Sequence, residues 1–140
     1  MTINKNKNMI EQFVDFAYDG NVDGMETLLP DVDINGRNVE GYSALYSAVF
    51  KQRVDAVDFL IKNGATIEND LIGMCFDDFT EDAEKISNIL LKNGYKISQN
   101  DISDYLTPYK EDVWDRNVQN FIKSDYPDLV QDLINNGAKF

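Results

Sequence analysis

Along the chain, apolar positions come in paired short blocks. In one block Val54, Val57, Leu60 and Ile61 fall at i, i+3, i+6 and i+7, the stripe that an amphipathic helix turns towards a core. Asn63-Gly64 follows at once, and Gly reaches the left-handed conformation that ends a helix at least cost. The design returns as Ile86, Ile89, Leu90 and Leu91 before Asn93-Gly94. It returns again as Leu129, Val130, Leu133 and Ile134, where Pro127 suits a first helical turn. Shorter apolar segments lie ahead of these helices, at 13–18, 44–50, 71–79 and 113–122. The pattern predicts helix pair after helix pair, an all-α chain.

The helix ends also repeat as text. Leu60-Ile61-Lys62-Asn63-Gly64 recurs as Leu90-Leu91-Lys92-Asn93-Gly94 and as Leu133-Ile134-Asn135-Asn136-Gly137, with Leu28-Leu29-Pro30 in the same phase. The gaps are 32, 30 and 43 residues. A period near 30 with one insertion points to a solenoid, in which each unit buries its apolar face only against its neighbours.

The second copy carries a family resemblance. Gly41-Tyr42-Ser43-Ala44-Leu45-Tyr46-Ser47-Ala48 is similar to the opening of an ankyrin repeat, Gly-x-Thr-Pro-Leu-His-x-Ala. Residues 57–65 resemble that repeat's second helix and Gly-Ala turn, and Asp31-Val32-Asp33-Ile34-Asn35 resembles the step into the next turn. Ser43 stands where the family has Thr, Ala44 where it has Pro, and Tyr46 where it has His. The resemblance implies an ankyrin-type solenoid in a single domain, with repeats at about 9–36, 37–67, 68–97 and 98–140 and an insertion near 100–108. A 30-residue offset puts Cys75 and Asp78 of the third copy at the places of Leu45 and Ala48. Ankyrin repeats bind partners with their turn tips and first helices. Carried over, those positions are Arg37, Asn38, Glu40 and Tyr42 at a tip, Tyr46 and Phe50 on a helix, and Asp77, Asp78 and Phe79 in the third copy. Tyr46 and Phe50 are four apart and share a helix face.

Composition narrows the chemistry. The 140 residues, 43% hydrophobic, have room for about one domain on the rough 150-residue scale. Against 13 Lys and Arg stand 25 Asp and Glu, a formal charge of −12. That charge argues against generic affinity for nucleic acid or anionic membranes. The absence of histidine excludes Ser-His-Asp, Cys-His and HExxH chemistry within the chain. Cys75 stands alone, so there is no internal disulfide and no Cys-rich metal site, which fits a reducing, cytoplasmic setting. Glu11-Gln12 break the apolar start at Met9-Ile10, so no secretory signal is expected. The longest apolar run, 71–76, is far short of a membrane span.

The remaining motifs compete with plainer explanations. Asp31-x-Asp33-x-Asn35-Gly36 matches the front of a calcium loop, but the twelfth position is Tyr42, where a bidentate carboxylate is required. The ankyrin turn explains the same residues, so no metal is expected. Asp77-Asp78, Glu81-Asp82 and Glu111-Asp112 read as solvated acids. With no nucleophile, metal site or phosphate loop, neither an enzyme nor a cofactor is implied. Tyr105, Tyr109, Asp112, Trp114 and Asp115 lie in or beside the insertion. They read either as interface anchors or as core plugs of a C-terminal cap. The leading functional reading is a non-enzymatic protein binder for a basic partner, specifically an inhibitor or immunity protein that neutralises a toxin, for instance a nuclease. A general scaffold, a host-directed effector and an acidic nucleic-acid mimic are the competing classes.

Overall fold

The computed structural model describes residues 2–98, 100–101 and 116–135. Eight α-helices lie among them, with no strand; Arg37 and Ser43 form one isolated antiparallel bridge. Repeat one contains α1 (Thr2–Asp19) and α2 (Val22–Leu28), closed by a 3-10 turn at Leu29–Asp31. Repeat two contains α3 (Ala44–Phe50) and α4 (Val54–Lys62), and repeat three α5 (Leu71–Asp77) and α6 (Glu81–Lys92). The last pair is α7 (Arg116–Asp125) and α8 (Pro127–Asn135), which begins at the expected proline. The insertion lies mostly outside the described residues, as do Tyr105, Tyr109, Asp112, Trp114 and Asp115.

Helix pairs stack in two rows. The first helices α1, α3 and α5 pack side by side, and α4 packs on α6 behind them. Between the rows runs one continuous core, from Phe13 and Met25 through Leu45 and Leu60 to Ile72, Ile86 and Leu90. Each of these side chains is essentially inaccessible. Burying one such side chain is worth about 1.5–3 kcal/mol, so adjacent repeats hold each other folded. Among the described residues no helix is long and apolar enough to cross a membrane.

The repeated Asn-Gly phrase acts twice in the same way. Asn63 Nδ2 donates to Phe59 O, and Asn93 Nδ2 to Ile89 O, both at 2.8 Å. Gly64 and Gly94 follow with φ of 90° and 93°, which lets Ala65 N reach Leu60 O and Tyr95 N reach Leu90 O, each at 3.0 Å. These bonds satisfy carbonyls that a helix end leaves open.

The third repeat corrects the expected register. Helix α5 starts 27 residues after α3 (Leu71 against Ala44), not 30. Ile72 therefore takes the place of Leu45, and Cys75 that of the fully buried Ala48. Asp78 lies beyond the helix. The physical reason is the linker. Residues 32–43 separate the 3-10 turn from α3 and build a projecting finger, whereas only residues 63–70 separate α4 from α5.

Helix α5 consequently starts differently from α3. Ser43 caps α3 locally, its Oγ accepting from Tyr46 N at 3.1 Å while donating to Glu68. Serine thus does the capping work at the position where the family has threonine. The residue before α5, Asp70, has φ 67° and its side chain caps nothing. The helix-end amides left without a local cap are met from a distance: Ile72 N donates to Tyr95 Oη at 3.3 Å, and Gly73 N to Asp101 Oδ1 at 3.0 Å. Asp101 is 5% exposed and also accepts from Tyr95 Oη (2.8 Å) and Ser98 N (2.9 Å). A Cβ on Gly73 would lie 3.1 Å from Asp101 Cα, so the close crossing needs glycine there.

Candidate interaction groove

The finger of repeat two is built by Asn38. Its Oδ1 accepts from Tyr42 N at 2.9 Å and Glu40 N at 3.1 Å, holding a tight turn closed by Asn38 N to Tyr42 O. Arg37 Nη1 donates to Gly41 O at 2.9 Å and stands 3.8 Å from Glu68, whose carboxylate also takes the Ser43 hydroxyl. Glu11 of α1 accepts from Val39 N at 2.5 Å. The finger is thereby tied to the repeats on both sides of it.

From this anchor the rings of Tyr42, Tyr46 and Phe50 rise along α3 at four-residue spacing. Their planes are parallel within 4° and 5°, with centroids 4.9 and 6.4 Å apart. Tyr46 is half-buried between an exposed Tyr42 and a Phe50 that is 57% exposed. Facing them across a groove of about 410 Å³ are Glu11, Asp15 and Tyr18 of α1, with Val14 and Ser47 lining the groove between. Val14 and Ser47 are buried, so they form its floor. Lys51 Nζ sits 5.0 Å from the centroid of the Tyr18 ring, a cation–π contact at the end of the groove. Among the described residues five large apolar or aromatic side chains are exposed: Tyr18, Tyr42 and Phe50 line this groove, Val39 stands on the finger, and Ile134 belongs to α8.

Of the expected site residues, Asn38, Glu40, Tyr42, Tyr46 and Phe50 come together here, while Arg37 braces the finger against Glu68. Asp77, Asp78 and Phe79 do not join them. Asp78 is exposed and its carbonyl accepts from Gln52 Nε2 at 2.8 Å. Phe79 is half-buried in an aromatic chain, 5.8 Å from Phe76 and 5.3 Å from Phe121 by ring centroid. Sequence reasoning missed Glu11, Asp15 and Tyr18. A signal was present: Tyr18 stands in repeat one where Phe50 stands in repeat two, four residues ahead of matching valines, Val22 and Val54.

The calcium-like half-motif serves the turn. Asp33 Oδ1 accepts from Asn35 N at 2.9 Å, and Asn35 Oδ1 from Thr66 N at 2.8 Å, which fastens one linker to the next. The lone thiol is embedded: burial, first of all, pushes the pKa of Cys75 up to about 12, away from nucleophilic use at neutral pH. No curated protein matches the chain. Residues 13–61, covering most of repeats one and two, match the family model of ankyrin repeats in many copies. That segment carries ankyrin repeats, the helix pairs continue beyond it, and ankyrin repeats mark a protein–protein interaction module.

Proposed function

We propose that this module works by binding a basic protein through the groove across repeats one and two, and that binding neutralises the partner. An inhibitor or immunity role against a toxin, for instance a nuclease, in the cytoplasm is the specific form of this reading. The supporting observation is the meeting of exposed rings and acidic side chains on one face. Contiguous exposed apolar surface rimmed by polar groups favours a protein partner, and a net charge of −12 steers basic ones. The 140 residues act as one domain of four repeats in this reading.

The test is affinity capture with the full chain from its native source, followed by assay of the captured protein's activity with and without the chain. A basic protein whose activity is suppressed stoichiometrically is expected. Tyr42→Ala with Phe50→Ala should weaken that association by about tenfold or more, since aromatic anchors carry most interface energy. Asp128→Ala, on α8, should leave it unchanged. Association that survives the double substitution would move the binding face elsewhere.

A further inference from the structure

We infer that the groove is a receptor for one arginine side chain of the partner. The inference rests on the groove being the binding face, and it specifies what enters. Asp15 projects from α1 with no ion-pair partner among the described residues, and Glu40 is in the same position on the finger. Ser47 is 5% exposed on the floor, and its hydroxyl makes no hydrogen bond with any described residue. A buried hydroxyl of this kind needs a partner, because leaving it unsatisfied forfeits the hydrogen bonds it would make with water. A guanidinium reaching the floor would donate to Ser47 Oγ and to the Asp15 carboxylate while lying against the ring wall.

Three features select arginine over other groups. The ring planes of Tyr42, Tyr46 and Phe50 are nearly parallel, so a planar cation can align with them, whereas an ammonium is a compact, strongly hydrated point charge. The resident Lys51 already places a cation against Tyr18, so a ring on this face meets positive charge without penalty. The volume, about 410 Å³, is at the lower end of ligand-sized pockets and suits one long side chain.

The third repeat sets the number at one. With α5 offset by 27 residues from α3, Asn69, Gly73 and Asp77 take the places of Tyr42, Tyr46 and Phe50. Among the described residues no ring continues the ladder, and Asp101 lies directly over Gly73. A run of basic residues would find no second ring-walled slot among the described residues.

The inference is tested by titrating the full chain at low salt with N-acetyl-arginine amide, the citrulline amide and the lysine amide, following side-chain NMR signals. The arginine amide should give saturable shifts of the Tyr42, Tyr46 and Phe50 rings at millimolar concentration. The neutral citrulline analogue should bind about tenfold more weakly, a difference of 1.4 kcal/mol, and lysine less tightly than arginine. Asp15→Asn and Ser47→Ala should each reduce arginine affinity, while Asp128→Asn should not. Equal shifts from citrulline, no saturable shifts from arginine, or tighter binding of lysine would overturn the inference. If groove substitutions abolish partner capture while the arginine amide fails to bind, only this inference falls; if capture is also unaffected, the groove proposal falls with it.

Discussion

Repeats two and three share a helix pair, an Asn-Gly stop and a buried seam, yet they treat the exposed face of their first helix in opposite ways. Repeat two has a long linker, and its finger and three stacked rings leave that face open beside α1. Repeat three has a short linker and no finger, and glycine and aspartate stand where the second and third rings would be. The chain then turns back across it, and Asp101 supplies from a distance the cap that Ser43 supplies locally in repeat two. In this chain the linker decides whether a first-helix face is left open or is used to hold the stack together.

The sharpest way to break that comparison is to remove the crossing segment. Deleting residues 98–140 takes away Asp101 together with Phe121 and Tyr126, which touch Phe79 and Asn88. Denaturant unfolding should show a loss of at least roughly 3 kcal/mol, because Tyr95 Oη and Gly73 N lose their acceptor and neighbouring repeats lose their cover. Asp101→Ala alone should cost about 2–3 kcal/mol, since it strands the Tyr95 hydroxyl and the Gly73 amide. Ser43→Ala should cost less, about 1 kcal/mol, as the loss of a local cap usually does. Equal losses for these two substitutions would mean that the remote cap carries no more than the local one.

Alkaline pH separates the repeats in a second way. Burial raises the Cys75 thiol from an ordinary 9.0 to about 12, and the Tyr95 phenol is raised by burial and then by its bond to Asp101. Both belong to repeat three. A raised acid loses its proton first in the unfolded chain, so its stabilising contribution is complete below about pH 9 and declines as pH climbs towards 12. The slope for one proton is at most about 1.4 kcal/mol per pH unit. Urea midpoints at pH 8, 9.5 and 11 should therefore fall, and Cys75→Ala should flatten the decline. An unchanged slope in that variant would place the alkaline weakness elsewhere.

The legible and illegible parts of the molecule follow this same division. Helix pairs and their ends could be read because they depend on local spacing: Val54 to Ile61 makes a stripe wherever it lies, and Asn63-Gly64 ends it. The register of repeat three could not be read by a fixed period, since the period is a property of helices plus linker and the linker shortens. A fixed period of 30 therefore matches Cys75 with Leu45, whereas the helix starts put it with Ala48. Half of the groove could be found from the α3 ladder, because rings four apart share a face. The other wall comes from α1, and nothing local at Glu11 or Asp15 tells that α3 packs opposite. Asp101 was illegible for the same reason: the helix amide it caps, Gly73 N, lies 28 residues away in the chain.

The smallest stability effect bears most directly on function. Phe50 is 57% exposed at the end of the ladder, with its ring 6.4 Å from that of Tyr46. Replacing it with alanine removes little buried surface, so unfolding free energy should change by no more than about 0.5 kcal/mol. Leu45, one turn earlier and 1% exposed, should cost about 2–5 kcal/mol on the same replacement. A phenylalanine that contributes almost nothing to the fold, yet stands in water beside two stacked tyrosines, is what the proposed binding role of this face requires. The comparison fails if Phe50→Ala proves as destabilising as Leu45→Ala, because the ring would then be a piece of core and the aromatic wall a structural rib.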